Sequence, residues 1–200
     1  MDSTILLRDF EERDIDFVFK CKNDEKLNSM IVGDFRPFTR EEATNWVHGC
    51  MGEHETYKFW AICTNNAEKR ILGWVSLSQI DKSNRSACHH GLVIGDNEYR
   101  DGTAMFEAML LSMEYAFVTL NIHRLYGCCI AGHKITPHMN YALGYQLEGR
   151  RRDALVKDGK YFDLLDYSML QGEYLNMKRD GAFEMNKMIK KFLHSINKIE

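Results

Sequence analysis

Apolar and polar positions change their period several times along the chain, and each change marks an element. "TILLRDF" (4–10) is a short apolar run that predicts a strand. "ERDIDFVFKCKND" (12–24) then spaces Ile15, Val18 and Phe19, with the stem of Lys22, as one helix face does. "NSMIVGDFRPF" (28–38) keeps neither period and reads as irregular. Thr39 followed by Glu42 makes a capping box, opening a helix to about Cys50. "YKFWAICT" (57–64) and "ILGWVSLSQI" (71–80) are strand-like runs joined by the turn "NNAEKR", with Trp60 and Trp74 as core anchors. After the turn "DKSNRS", "ACHHGLVIG" (87–95) is a third strand of a meander.

"AMFEAMLLSMEYAFVTL" is apolar on most faces, as a well-buried helix is. It leads to the strand "HRLYGCCIAG" (123–132), so this strand and 87–95 are expected to be parallel neighbours with a right-handed crossover. Thr136 and Pro137 read as N-cap and first residue of a short helix ending before Gly144. "LEGRRRDALVKDGKYFDLLDYSML" reads as two strands around a Lys-Asp-Gly-Lys turn, whose Asp-Gly favours a tight hairpin. The order predicts one α+β domain over residues 1–174, with a mixed, mostly antiparallel sheet of roughly six to seven strands flanked by helices. Residues 175–200 are polar and basic, with Phe183, Met185, Met188, Ile189, Phe192, Leu193 and Ile196 at helical spacing and Gly181 punctuating the start. That amphipathic helix is expected to dock on the domain or on a second copy as a homodimer; a membrane surface is the other use of such a face.

Composition narrows the function without choosing it. The 200 residues are 44% hydrophobic and 28% charged, ordinary for a soluble domain, and the net charge of −3 argues against nucleic acid as a partner. No apolar stretch is long enough for a membrane span, and the acidic start "MDSTILLRDFEERD" lacks the features of a signal peptide. The six cysteines form no Cys-x-x-Cys, so reduced, buried thiols and a cytoplasmic location are expected. No metal is expected either: Cys88, His89, His90 and His133 lack ligand spacing that would force convergence.

The stretch with most chemistry is "SACHHGLVIGDNEYRDGTAMFEA" (86–108), which reads as strand, loop and helix start. The first amides of a helix are unpaired and its dipole favours an anion there. Arg100, Asp101, Gly102, Thr103 and Ala104 make the loop; Arg100 could pair with a phosphate, and Asp101 would repel one unless turned away.

The chain as a whole resembles the GNAT superfamily of acyl-CoA N-acyltransferases, in the branch that includes Rim-type ribosomal-protein, spermidine and amino-sugar acetyltransferases. The resemblance covers about residues 3–174. "ILLRDFEERDIDFVFK", "ILGWVSLSQID", "HHGLVIGDNEYRDGTAMFEAMLLSMEYAF", "LNIHRLYG", "LGYQLEGRRRDALVKDGKYFDLLDYSML" and the closing "QGEY" carry it. It implies the GNAT fold and an enzyme that moves an acetyl group from acetyl-CoA to a primary amine of a small molecule or a protein N-terminus. It also implies that Leu92, Val93 and Ile94 line the acetyl-CoA arm, with a backbone N–H of the 91–94 strand on the oxyanion.

This chain departs from the family's pattern at several of those positions. The pyrophosphate loop of relatives runs Gln/Arg-x-x-Gly-x-Gly/Ala; opened at Arg100 it puts Thr103 and Met105 where glycine is usual, and shifted by one residue Gly102 and Ala104 fit but Tyr99 opens it. The asparagine that contacts the pantetheine arm aligns with His133, and the tyrosine that protonates the leaving thiolate aligns with Asn140, one step from Tyr141. The glutamate many relatives use as base aligns with His89, which an imidazole could replace directly or through a water. Alternation puts His90 on the opposite face. By position, Phe35, Arg36 and Trp46, with His90, Arg150 and Arg152, are the acceptor-binding candidates. The arginine run 150–152 suits an anionic acceptor such as a nucleotide-linked amino sugar; the alternatives are a ribosomal-protein N-terminus, a polyamine, or a GNAT fold kept as a binding module.

Overall fold

The computed structural model describes residues 3–29, 31 and 34–197, and the side chain of His90 is outside that description. It divides into two compact units, one of residues 1–78 with 90–112 and one of residues 79–89 with 113–200.

The first unit contains β1 (Ile5–Arg8), α1 (Ile15–Lys22), α2 (Glu25–Asn28), α3 (Arg40–Cys50), β2 (Lys58–Thr64) and most of β3 (Ile71–Asp81). The last part of β4 (Ser86–Ile94) and all but the end of α4 (Thr103–Glu114) complete it. The strand order is β1-β2-β3-β4. β1 runs antiparallel to β2 from Ile5↔Thr64 to Arg8↔Ala61, and β2 to β3 from Lys58↔Leu77 to a register shift between Ile62 and Cys63. The core joins Phe10, Val18, Val47, Ala61, Cys63, Trp74 and Val93, and burying each large apolar side chain contributes about 1.5–3 kcal/mol. The capping box forms: Thr39 Oγ1 accepts the Glu42 N–H at 3.1 Å, and Glu42 accepts the Thr39 N–H at 2.8 Å. Glu107 on α4 ties down the chain's start, accepting from the backbone N–H groups of Thr4 at 3.0 Å and Ile5 at 3.1 Å.

The second unit contains the start of β4, then β5 (Arg124–Ile130), α5 (Thr136–Leu143), β6 (Gln146–Lys157), β7 (Lys160–Leu170), α6 (Gln171–Arg179) and α7 (Met185–Ile196). The expected parallel pair is present, from Ser86↔Arg124 to Cys88↔Tyr126, followed in the strand order by β7 and β6. β6 and β7 meet at Lys157↔Lys160, and Asp158 (φ 49) and Gly159 (φ 73) are both left-handed, as a tight Asp-Gly turn requires. The amphipathic tail becomes two helices, with Gly181 (φ 65) between α6 and α7. The face of α7 packs on α5: Met188 is fully buried, and His138 Nδ1 lies 2.8 Å from Ser195 Oγ.

Two local expectations are corrected. The buried helix does not run on as α-helix; Tyr115–Thr119 is a π-turn, with the Leu120 N–H reaching back five residues to Tyr115 at 2.9 Å. Thr136 is the first residue of α5 and not its cap. Of the thiols expected to be buried, Cys21, Cys50, Cys63 and Cys129 are, which pushes their pKa up to about 11, 12, 11 and 12, and Cys88 and Cys128 are only half-buried. No helix among the described residues is long and apolar enough to cross a membrane.

Candidate active site

In the first unit, β4 carries a local break. Gly91 has φ 73 inside the strand, and a Cβ there would meet Ser76 Oγ at 3.1 Å. A left-handed glycine inside a strand marks a local irregularity of the ladder. Val93 is buried beyond it, with Leu92 and Ile94 half-buried.

The loop after β4 uses its side chains on itself. Arg100 folds back, donating from Nε to Ile94 O at 2.9 Å and from Nη2 to Gly95 O at 3.3 Å. Those two N–H groups serve the strand end and not a phosphate. Asp101, which is exposed, accepts the Thr103 N–H at 2.8 Å and so caps α4 with a carboxylate. Ala104 and Met105, in the first turn of α4, have N–H groups too early in the helix for an intrahelical carbonyl. At Gly102 (φ 97) a Cβ would meet nothing within 4 Å, so the backbone lies open to a close approach. The donors this loop offers an anion are therefore backbone amides at a glycine-opened helix start.

The early candidates separate. Arg36 is exposed, pairs with Glu42 at 2.7 Å and stacks over Phe38; Phe35 is half-buried. Trp46 is committed to the core, its ring 5.5 Å from Phe10, 5.7 Å from Phe59 and 5.4 Å from Trp74. Sequence reasoning missed what those rings enclose. The Lys22 ammonium sits 4.6 Å over Trp46 and 5.4 Å over both Phe38 and Trp74, and burial lowers its pKa. A lysine in the last turn of an amphipathic helix, with tryptophans nearby in the fold, is the only trace of this in the sequence.

In the second unit, His89 is half-buried with Nδ1 2.8 Å from the Tyr145 hydroxyl. His133 does not extend toward a ligand with that nitrogen: its Nδ1 accepts the Ile135 and Thr136 N–H groups, each at 3.1 Å. It is the capping group that was expected from Thr136. Burial lowers its pKa, which favours the neutral ring whose lone pair makes the cap. Asn140 is 8% exposed on α5, and Tyr141, one step of about 100° further round, is 54% exposed. An amide does not titrate, so Asn140 cannot supply the acid that a tyrosine supplies in relatives.

The arginine run is paired on its own hairpin. Arg150 Nε donates to Asp163 at 2.5 Å, and Arg151 grips Asp166 with two bonds of 2.7 and 2.8 Å. Arg152 is exposed, and its charge together with Arg150 helps to keep the Asp163 carboxyl below its usual range, after the Asp153 N–H. The side chain of His90 lies outside the described residues.

Comparison with known proteins adds a family to this geometry. Residues 4–137 match the family described as "Acetyltransferase (GNAT) domain". The spermidine N(1)-acetyltransferase of Vibrio cholerae serotype O1 is 24% identical over 177 residues, covering 88% of this chain and 98% of that protein. The ribosomal protein uS5-alanine N-acetyltransferase of Escherichia coli is 31% identical over 96 residues, 48% of this chain and 49% of that protein. Among solved structures, spermidine N-acetyltransferase from Vibrio cholerae in complex with CoA and spermine aligns with a TM-score of 0.75 at 22% identity, over 86% of this chain and 99% of that one.

Proposed function

Since the chain belongs to the GNAT acetyltransferase family and moves an acetyl group from acetyl-CoA to an amine, we propose that its acceptor is a small cationic primary amine of the polyamine class. One observation carries the choice. Two of the three arginines that would have gripped an anionic acceptor are engaged, Arg150 with Asp163 and Arg151 with Asp166 across β6 and β7, and Arg152 is exposed. A nucleotide-linked amino sugar would have to break such a pair for each phosphate contact with Arg150 or Arg151. The net charge of −3 also favours approach of a cation. The similarity to a spermidine acetyltransferase along 98% of that protein points the same way.

Within this reading the backbone does most of the binding. The first amides of α4 hold the pyrophosphate over Gly102. In this reading a backbone N–H of the 91–94 strand faces the thioester oxygen, where a donor is worth most as charge develops. The amine attacks directly, because a thiolate leaves readily without a dedicated acid.

The acceptor class is tested by following CoA thiol release with three amines: spermidine, a nucleotide-linked amino sugar and a peptide beginning with alanine. Spermidine is expected to give a kcat/KM at least about tenfold above either rival, a difference of about 1.4 kcal/mol in transition-state binding. A preference for the amino sugar, lost on Arg152→Ser, would overturn the choice.

A further inference from the structure

Two lysines of the first unit leave water in opposite ways. Lys58 is 6% exposed, and its ammonium donates to Asp9 Oδ1 at 2.7 Å and to Glu53 Oε1 at 2.8 Å. Burial opposes its charge, the two carboxylates more than offset that, and its pKa is raised. Lys22, the half-buried last residue of α1, meets rings instead of oxygens. Its Nζ lies 4.6 Å from the centre of Trp46 and 5.4 Å from those of Phe38 and Trp74. Among the described residues, Lys22 has no carboxylate within ion-pair distance and no hydrogen-bond acceptor.

Ring faces attract an ammonium, yet they replace only part of the water that it gives up. Burial is accordingly the larger effect at Lys22 and lowers its pKa. The Cys50 and Cys21 thiols would oppose that shift as thiolates. Burial pushes their own pKa up to about 12 and 11, so both are protonated at neutral pH and neither is an anion for Lys22. Only a free amine, with its lone pair, attacks a thioester. A lysine taken from water without a counter-charge holds more of that form than an exposed one does.

The same helix end lies against the segment after β4. A Cβ at Gly95 would meet Cys21 Sγ at 2.3 Å and Phe17 Cζ at 2.8 Å, so α1 rests directly on the chain there. The charges of Arg100 and Asp96 act on the Cys21 thiol. Lys22 is the next residue, and Trp74 beneath its ammonium shares a core with Val93. All of these residues belong to the first unit.

We propose that Lys22 Nζ is the chain's own acetylation site, taking the acetyl group of acetyl-CoA ahead of the exposed Lys20 on the same helix and of the paired Lys58. The proposal goes beyond the amine acceptor and is independent of its class. The Nζ lone pair forms the C–N bond at the thioester carbon while the carbonyl π pair moves onto oxygen. Return of that pair breaks the C–S bond and releases CoA thiolate. The proton lost from nitrogen goes to solvent, and solvent protonates the sulfur. The product is a neutral amide, which removes the unsupported charge from among the rings. Each chain reacts once at this position, so the step sustains no turnover when amine is absent.

The test uses the wild-type full chain with acetyl-CoA and no added amine, with acetylation of each lysine followed over time by peptide mass spectrometry. Lys22 should be modified several-fold faster than Lys20, with Lys58 slower again. In the same chain unfolded in urea that order should vanish, because Lys22 then has the solvent surroundings of the others. Lys20 or Lys58 reacting as fast as Lys22 in the folded chain overturns the proposal, and so does a preference for Lys22 that survives unfolding. Catalysed transfer to spermidine with Lys22 left unmodified also overturns it, and leaves the reading of the acceptor standing.

Discussion

Alanine at Gly73 is expected to lower the melting temperature by about 6–12 °C or more, or to prevent folding. The added Cβ would lie 1.9 Å from Val93 O, 2.9 Å from Val93 C and 3.0 Å from Ile94 Cα, all atoms of β4. Overpacking against side chains costs about 1–3 kcal/mol because they can turn aside. A strand backbone cannot turn, so β3 and β4 must part. The nearby bonds from Gly95 N–H and Asp96 N–H to Leu72 O, at 2.8 and 3.1 Å, would be strained with them. A loss of about 3 kcal/mol takes a large share of the stability of a single domain, and each kcal/mol moves the midpoint by about 2–4 °C at this size. The same movement displaces the N–H groups of residues 92–94, so residual folded protein should also lose activity. Gly149→Ala is the control: nothing lies within 4 Å of a Cβ there, and its melting temperature should barely change. A Gly73→Ala protein melting within about 2 °C of wild type would contradict the close β3–β4 approach.

The second large effect is expected at Asp14. This carboxylate is 1% exposed and accepts from Arg8 Nη1 at 2.7 Å, Arg8 Nη2 at 2.8 Å and the Glu11 N–H at 2.9 Å. It is the main reason that the Arg8 pKa is raised. Removing one partner of a buried pair costs about 3–5 kcal/mol, and Arg8 would keep only the Asp9 carbonyl at 2.9 Å and Glu11 at 3.7 Å. Asp14→Ala should therefore destabilise the protein by that amount in urea, with an unchanged slope. Replacing both partners, Arg8→Met with Asp14→Leu, should recover most of the loss, because the desolvation cost of both charges disappears with them. A single variant that loses less than about 1 kcal/mol would show that solvent already screens the pair.

Much of the fold was legible because its determinants are local. The Thr39–Glu42 box, the Asp158–Gly159 turn and the Gly144 stop each depend on residues within a few positions, and each forms as expected. The element order followed from apolar period and segment length. What escaped the sequence depends on distant partners. Nothing local shows that Glu107 will collect the amides of residues 4 and 5, or that rings from three separate segments will close over Lys22. The site was legible in outline and not in its side-chain partners. Position 89 could be singled out by alignment with a base, yet its hydrogen bond to Tyr145 depends on a residue that only the end of α5 brings near. Arg100, Arg150 and Arg151 looked like anion ligands from charge alone, and their engagement within the chain appears only once Ile94, Gly95, Asp163 and Asp166 are in place. His133 was read as a ligand contact from its alignment with an asparagine of the family, and its lone pair is spent on a helix start.

The most direct measurement is the stoichiometry of acetyl transfer to spermidine by the purified full chain, following free CoA thiol and acetylated amine together. The account predicts one acetyl amide for each thiol released, at a rate that saturates with amine and vanishes without it. If the protein binds acetyl-CoA, as a raised melting temperature would show, and yet no primary amine at millimolar concentration gives thiol above the uncatalysed rate, the fold serves here as a binding module and the account fails.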